Sequence, residues 1–325
     1  MILHVAADST CQFISVTDAL SSIPDSCTEE ILIYIHKGVY QEQISITHPR
    51  ITFIGDSPFD TVLSYGLYAS MKLDDGQKRG TFRTYSCFID TDDITFRSLT
   101  IANTAGPGPA AGQAIALYAD GDRLMFDGCR FLGNQDTLFT GPLPPKEIEP
   151  NGFAGPKQFA PRINGRHYYR NCYIEGDIDF IFGSATAYFE SCEFFSKNIG
   201  RPVNSYVTAA STPQGQAYGY VMKDCRFTGS CPPHSAYLGR PWREYAKTVL
   251  INCFMDQHIC PEGWHDWNKP NAHDTCYFAE YGSYGPGAVI PSRPQWVHRL
   301  THKDLALYSR EHVLSGNDRW NPWSL

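Results

Sequence analysis

A repeated pattern around a column of small apolar residues constrains this chain more than any other feature. Leu99, Cys129, Cys172, Cys192, Cys225 and Cys253 each have an apolar or aromatic residue three positions earlier: Phe96, Phe126, Tyr169, Phe189, Met222 and Leu250. Each has another apolar residue two positions later: Ile101, Phe131, Ile174, Phe194, Phe227 and Met255. The residue just before each centre is Ser98, Gly128, Asn171, Ser191, Asp224 or Asn252, all small types that suit a sharp bend. Each unit therefore reads as strand, bend, strand. The centres are 30, 43, 20, 33 and 28 residues apart, a constant core unit with loops of variable length. That is the signature of a β-solenoid. It predicts a single all-β domain over residues 1–325, although the length alone allows two domains.

The cysteine column reads as small apolar side chains stacked inside the coil. A redox or metal role is the lesser alternative. Eleven cysteines in a chain this long are not a disulfide scaffold. No Cys/His cluster has zinc spacing, and Cys231 with His234 lacks partners, so no metal and no cofactor are expected.

Before the repeat, Thr10 to Ser22 predicts a short amphipathic helix with Phe13, Val16, Thr17 and Leu20 on one side, placed to cap the open end. Strands are predicted at Ile31–Ile35, at Gln43–Ile46 after a turn at Gly38-Val39-Tyr40, and at Arg50–Asp56. Pro142 to Pro161 breaks the pattern with six prolines. A loop this long in a compact domain is usually functional, and a disordered insertion is the alternative. After Ile290 the repeat fades. A short helix is expected at Asp304–Tyr308, and Trp320-Asn321-Pro322-Trp323 is expected to pack as a terminal cap.

The net charge of −7, with no basic run, argues against a nucleic-acid partner. No apolar run approaches the ~18 residues that a membrane span needs. The opening Met1–Asp8 has neither a positive n-region nor a long apolar stretch. A cytoplasmic location is therefore expected, with secretion expected instead if a leader has been removed. A monomer is expected.

The chemistry gathers between Gly112 and Gly183. Asp136 lies seven residues after Cys129, and Asp179 seven after Cys172. Stacked coils place the two one above the other, at a strand spacing of roughly 5 Å, where both cannot ionise freely. One environment then yields an acid and a nucleophile. Asp179 sits inside Ile178-Asp179-Phe180-Ile181-Phe182, where a charge needs a partner. Arg240, in Leu238-Gly239-Arg240-Pro241-Trp242, can hold it bidentately and is expected to lower its pKa. Asp136 then keeps the proton. Asp177 is expected to be an exposed turn residue. Gln113 and Gln135 supply amide donors suited to a developing oxyanion. Phe182, Trp242, Tyr245 and Trp264 are candidates for an aromatic floor on which sugar rings stack.

These motifs resemble the pectin methylesterase family. They are Gln113-Ala114-Ile115-Ala116-Leu117, Gln135-Asp136-Thr137-Leu138, Asp179-Phe180-Ile181-Phe182-Gly183 and Leu238-Gly239-Arg240-Pro241-Trp242. Asn103-Thr104-Ala105-Gly106 and Pro261-Glu262-Gly263-Trp264 also match, and the likeness runs from about residue 3 to 323 in the expected order. It implies a single-stranded right-handed parallel β-helix that removes methyl esters from galacturonate units of homogalacturonan or its oligosaccharides. By position it implies Asp179 as nucleophile, Asp136 as general acid/base, Gln113 and Gln135 as transition-state stabilisers, and Arg240 as the arginine holding the nucleophile. Thr81 and Trp242 match substrate-binding positions, and Phe182 and Trp264 are implied to line the groove. Asn134, Phe139, Asp177 and Ser184 depart from the family's pattern, and the Pro142–Pro161 loop is longer than in its plant members. The competing enzyme reading is a pectate lyase or glycosidase on the same solenoid, and a lyase wants a calcium-binding cluster of acidic residues. A catalytically dead sugar-binding solenoid is the third.

Overall fold

The computed structural model describes residues 1–322. Its strands form three parallel sheets of eleven, eight and seven strands. The chain visits them in rotation, so that each coil contributes one strand to each sheet. The strands Leu124–Asp127, Arg130–Leu132 and Leu138–Thr140 make one coil, and Arg166–Arg170, Tyr173–Gly176 and Ile181–Gly183 make the next. Every pairing joins a strand to its counterpart one coil away. This is a right-handed parallel β-helix, the hand that strand crossovers take.

The repeat has a physical basis at each of its positions. Ser98, Gly128, Asn171, Ser191, Asp224 and Asn252 all have positive φ, between 51° and 62°. One left-handed residue turns the chain from the first sheet to the second, which is why only short polar residues and glycine stand there. The residues three before the centres stack inside the coil. Phe53, Phe96, Phe126, Tyr169 and Phe189 form a ladder with ring centroids 4.5, 5.7, 4.7 and 4.6 Å apart. The five cysteines of the column are buried and unpaired. The Cys172 thiol donates to the Phe126 carbonyl of the coil before it at 3.5 Å, and Cys192, Cys225 and Cys253 repeat the contact on Tyr169, Phe189 and Met222. Cysteine thus fills a small apolar space and also donates to a carbonyl in the coil interior.

The N-terminal helix is shorter than expected, Val16–Ser21. The Ser15 hydroxyl caps it by accepting the Asp18 N–H, and the Glu42 carboxylate accepts the N–H groups of Val16 and Thr17. It buries Val16 and Ala19 over the open end of the coil. At the other end, the short helix expected at Asp304–Tyr308 is a 3₁₀ turn, His302–Tyr308, followed by the helix Arg310–Leu314. Val313 and Leu314 cover the outer face of the first sheet beside Tyr168 and Tyr188. Trp320 packs on that same flank, over Arg166, so it does not close the end of the coil. Trp323 lies outside the described residues.

Candidate active site

The outer face of the third sheet carries a second apolar cluster. Phe88, Tyr118, Phe139, Phe182 and Ala209 occupy one register position on five successive coils. Phe82 and Phe153 pack on this column from outside, and Trp242 and Trp267 border it. A pocket of about 410 Å³ opens above it, lined by Thr81, Gln113, Gln135, Asp136, Asp179, Phe182, Arg240 and Trp242 among others. Eight of the ten candidate catalytic and sugar-contacting residues singled out in the sequence therefore meet in one place.

The other two do not. Trp264 is buried inside the coil, stacked on Phe278 at 4.5 Å, with its indole N–H donating to Glu280 at 2.9 Å. Glu280 is in turn paired with buried Arg293 at 2.7 Å. Trp264 is paired in register with Gly239, whose missing side chain leaves room for the indole to turn inward. Its place at the pocket is taken by Trp267, three residues on. Tyr245 does not line the pocket either.

Asp136 and Asp179 enter the pocket from the bends that precede the strands Leu138–Thr140 and Ile181–Gly183. Asp179 is held by a fork: Nε of Arg240 donates to Oδ1 at 2.8 Å and Nη2 to Oδ2 at 2.7 Å. The guanidinium is itself clamped between two rings, 3.8 Å from the centroid of Tyr206 and 3.7 Å from that of Trp267. Its orientation is therefore set by two stacks and two hydrogen bonds, and each Asp179 oxygen keeps a free lone pair. Lys269 adds a second cation over the Trp267 ring at 4.6 Å. Its ammonium is bonded to the carbonyls of Pro241 and Trp242, and burial lowers its pKa to about 8.

Burial acts on both carboxyls. It pushes Asp136 well above the usual carboxylate range, and the neighbouring Asp179 and Asp177 push it further. Asp179 is also raised by burial, so Arg240 does not bring it below its ordinary value as expected. The guanidinium limits the rise. Of the two, Asp136 is raised the more strongly, and the fork on Asp179 favours its ionised form. The Asp136 carboxyl has no hydrogen-bond partner among the described residues, and neither do the side-chain amides of Gln113 and Gln135. All three remain open toward the pocket.

Asp177 is fully buried rather than exposed. Its carboxylate accepts the N–H of Ile178 at 2.6 Å and that of Gly108 at 3.4 Å. A side chain on Gly108 would meet both Asp177 and Gln135 at 3.0 Å, so the glycine lets the Gly108–Ala111 turn settle against the site. Asn103 secures the same region. Its amide reaches the carbonyls of Leu67, Thr84 and Ile115 at 2.9–3.0 Å. The Pro142–Pro161 loop borders the pocket through Ile148, Glu149, Gly152 and Phe153.

Sequence reasoning missed Trp267, Tyr206, Lys269 and Phe82. Trp267 was within reach of the sequence: an aromatic three residues from a chosen one, in Trp264-His265-Asp266-Trp267. Tyr206 carried no signal, because its role depends on the register that pairs it with Tyr237 and Thr208 with Gly239, next to Arg240. Among the described residues no three His, Cys, Asp or Glu side chains converge as a metal site.

Fold and pocket together define a parallel β-helix with a paired-aspartate groove. The Pectinesterase family model matches residues 2–142 and 162–317, and the chain belongs to that family. It is 33% identical to Pectinesterase 31 of Arabidopsis thaliana over 99% of this chain and 94% of that protein. It is 34% identical to probable pectinesterase/pectinesterase inhibitor 23 of the same plant, covering 98% of this chain but only 53% of that relative's length. A solved pectin methylesterase in complex with a hexasaccharide superposes with a TM-score of 0.80, at 27% identity and 98% coverage of both chains. The carrot enzyme gives 0.79 at 28% identity, covering 97% of this chain and 93% of its own. The pectate lyase reading finds no support among these relatives.

Proposed function

We propose that this chain hydrolyses methyl esters of galacturonate units in pectin, releasing methanol. The observation that carries the reading is the asymmetry of the aspartate pair. Asp179 is clamped by Arg240 and ionises first, whereas Asp136 is buried without an ion pair among the described residues and keeps its proton. The hexasaccharide bound by a structural neighbour supports an oligosaccharide in this groove.

In this mechanism an Asp179 oxygen attacks the C6 ester carbonyl. The carbonyl oxygen becomes an oxyanion, which the amides of Gln113 and Gln135 stabilise. As the C–O bond to the methoxy group breaks, Asp136 gives it a proton and methanol leaves. The Asp136 carboxylate then takes a proton from water, whose oxygen attacks the acyl–Asp179 anhydride. The sugar carboxylate departs, Asp179 is restored and Asp136 is protonated again. Thr81, Phe182, Trp242 and Arg240 form the substrate-binding wall in this reading. Trp267 stands in the place first given to Trp264.

The cytoplasmic location expected from the N-terminus does not fit a substrate of this kind. A wall polymer lies outside the cell, and we place the activity there. The test is methanol release from esterified galacturonan, with unsaturated-product absorbance as the lyase control. Methanol without unsaturation, unchanged by excess chelator, supports the reading. Unsaturated product, or activity lost to chelator and restored by calcium, overturns it.

A further inference from the structure

The family model leaves residues 143–161 unmatched, so the wall that they add to the pocket lies outside the family's shared pattern. The segment is fastened at three points. The Phe153 ring, 5% exposed, packs edge-on against Phe82 at 5.7 Å and Trp242 at 6.3 Å. Arg243 donates from Nη2 to the Lys146 carbonyl at 3.2 Å. Lys157 pairs with Asp90 on the coil. Between the first two anchors, the Glu147 carboxylate accepts the N–H groups of Asn151 and Phe153 and closes the turn.

Two side chains at the tip of that turn are left over. Ile148 is 68% exposed and Glu149 is also exposed, and both line the pocket. Glu149 has no ion pair among the described residues. Arg243 also lines the pocket, but its guanidinium is bonded to the carbonyls of Lys146 and Trp242 and lies 4.5 Å over the Trp242 ring. A held turn therefore presents one apolar and one anionic side chain to a groove in which Asp179 is paired with Arg240 and Asp136 keeps its proton.

We propose that this turn makes the groove select esterified over free galacturonate at a ring beside the reacting one. Ile148 meets the methyl ester of that ring, and Glu149 repels a free carboxylate there. The inference rests on the function proposed above and adds a preference to it. The chain then favours densely esterified stretches and disengages from those that it has already converted. Two like charges at the wall of a solvent-connected pocket interact modestly and are screened by salt.

The test compares binding of fully esterified and fully de-esterified galacturonate hexamers to the full chain carrying Asp179→Asn. The ester hexamer is expected to bind more tightly. Adding Glu149→Gln should tighten binding of the acid hexamer about three- to tenfold at low salt, with a much smaller change for the ester, and the gain should shrink at high salt. Adding Ile148→Ala should weaken the ester hexamer selectively. If Glu149→Gln moves both hexamers equally, or neither, the inference fails while methanol release by the unmodified chain leaves the function standing. Charge discrimination at Glu149 in a chain that releases no methanol would keep the binding preference and sink the function. Failure to bind either hexamer overturns both.

Discussion

Asp136 and Asp179 stand at the same point of successive coils, each two residues before the paired Leu138 and Ile181, and each with positive φ, 64° and 53°. The backbone N–H of Asp136 donates to the carbonyl of Ile178, which locks the two bends together. Only one of the pair receives the guanidinium fork, so identical side chains acquire different proton affinities. Replacing Asp136 by Asn should reduce kcat about 10²–10⁴-fold, the usual range for general acid–base catalysis. The proposed reaction needs Asp179 ionised and Asp136 protonated. The acid limb of the pH–rate profile then belongs to Asp179 and the alkaline limb to Asp136, the pair titrating jointly. In Asp136→Asn the alkaline limb should disappear. An unchanged bell would place that proton elsewhere.

The Arg240 clamp has its own expectation. Trp267→Ala removes one of two stacking faces, and a partly desolvated cation–π contact is worth about 1–2 kcal/mol, or roughly 5–30-fold in rate. A looser fork also stabilises ionised Asp179 less, so the acid limb should move to higher pH. Trp267→Phe should restore most of both effects. A rate loss with no movement of the acid limb would mean that Trp267 touches substrate alone.

Asp120 offers a stability test away from the chemistry. Burial pushes its carboxyl up to about 7, against the pull of Lys157. A raised carboxyl means that the folded chain holds a proton that the unfolded chain releases. Stability is therefore lost as pH climbs from the unfolded value of about 4 toward 7. Asp120→Asn removes that loss. Its Tm should exceed the parent's at pH 8, by the equivalent of at most a few kcal/mol, and the gap should close near pH 4. A gap independent of pH would show that packing, not ionisation, governs the site.

Much of this was legible in the sequence because a solenoid writes its geometry into spacing. The column from Leu99 to Cys253 and the shared offset of Asp136 and Asp179 follow from coils that repeat in register. What was not legible depends on direction within a turn. Trp264 and Trp267 look equivalent on paper, yet register sets Trp264 over Gly239, and the indole turns inward. Asp177 looked like a surface residue because the Gly108–Ala111 turn that covers it comes from sixty-nine residues earlier. The sign at Asp179 was misjudged for a related reason. Arg240 was visible in the sequence, but the depth of burial that outweighs it was not.

The bend before each cysteine carries a backbone prediction. Ser191 has φ of 54°. Ser191→Val puts a β-branched residue in the left-handed region and should cost at least about 1–2 kcal/mol, read by denaturant unfolding. Ser191→Gly should be nearly neutral or stabilising. If both variants are equally destabilised, the hydroxyl matters rather than the backbone.

The most direct test of the account is a trapped acyl-enzyme. Without its acid/base, the Asp136→Asn variant should clear the Asp179 anhydride slowly. Rapid acid quench with esterified oligogalacturonate, followed by mass spectrometry of proteolytic fragments, should find the galacturonyl adduct on the fragment containing Asp179. An adduct mapped to a different fragment, or a chain with Asp179→Asn that still releases methanol at the parent's rate, would contradict it.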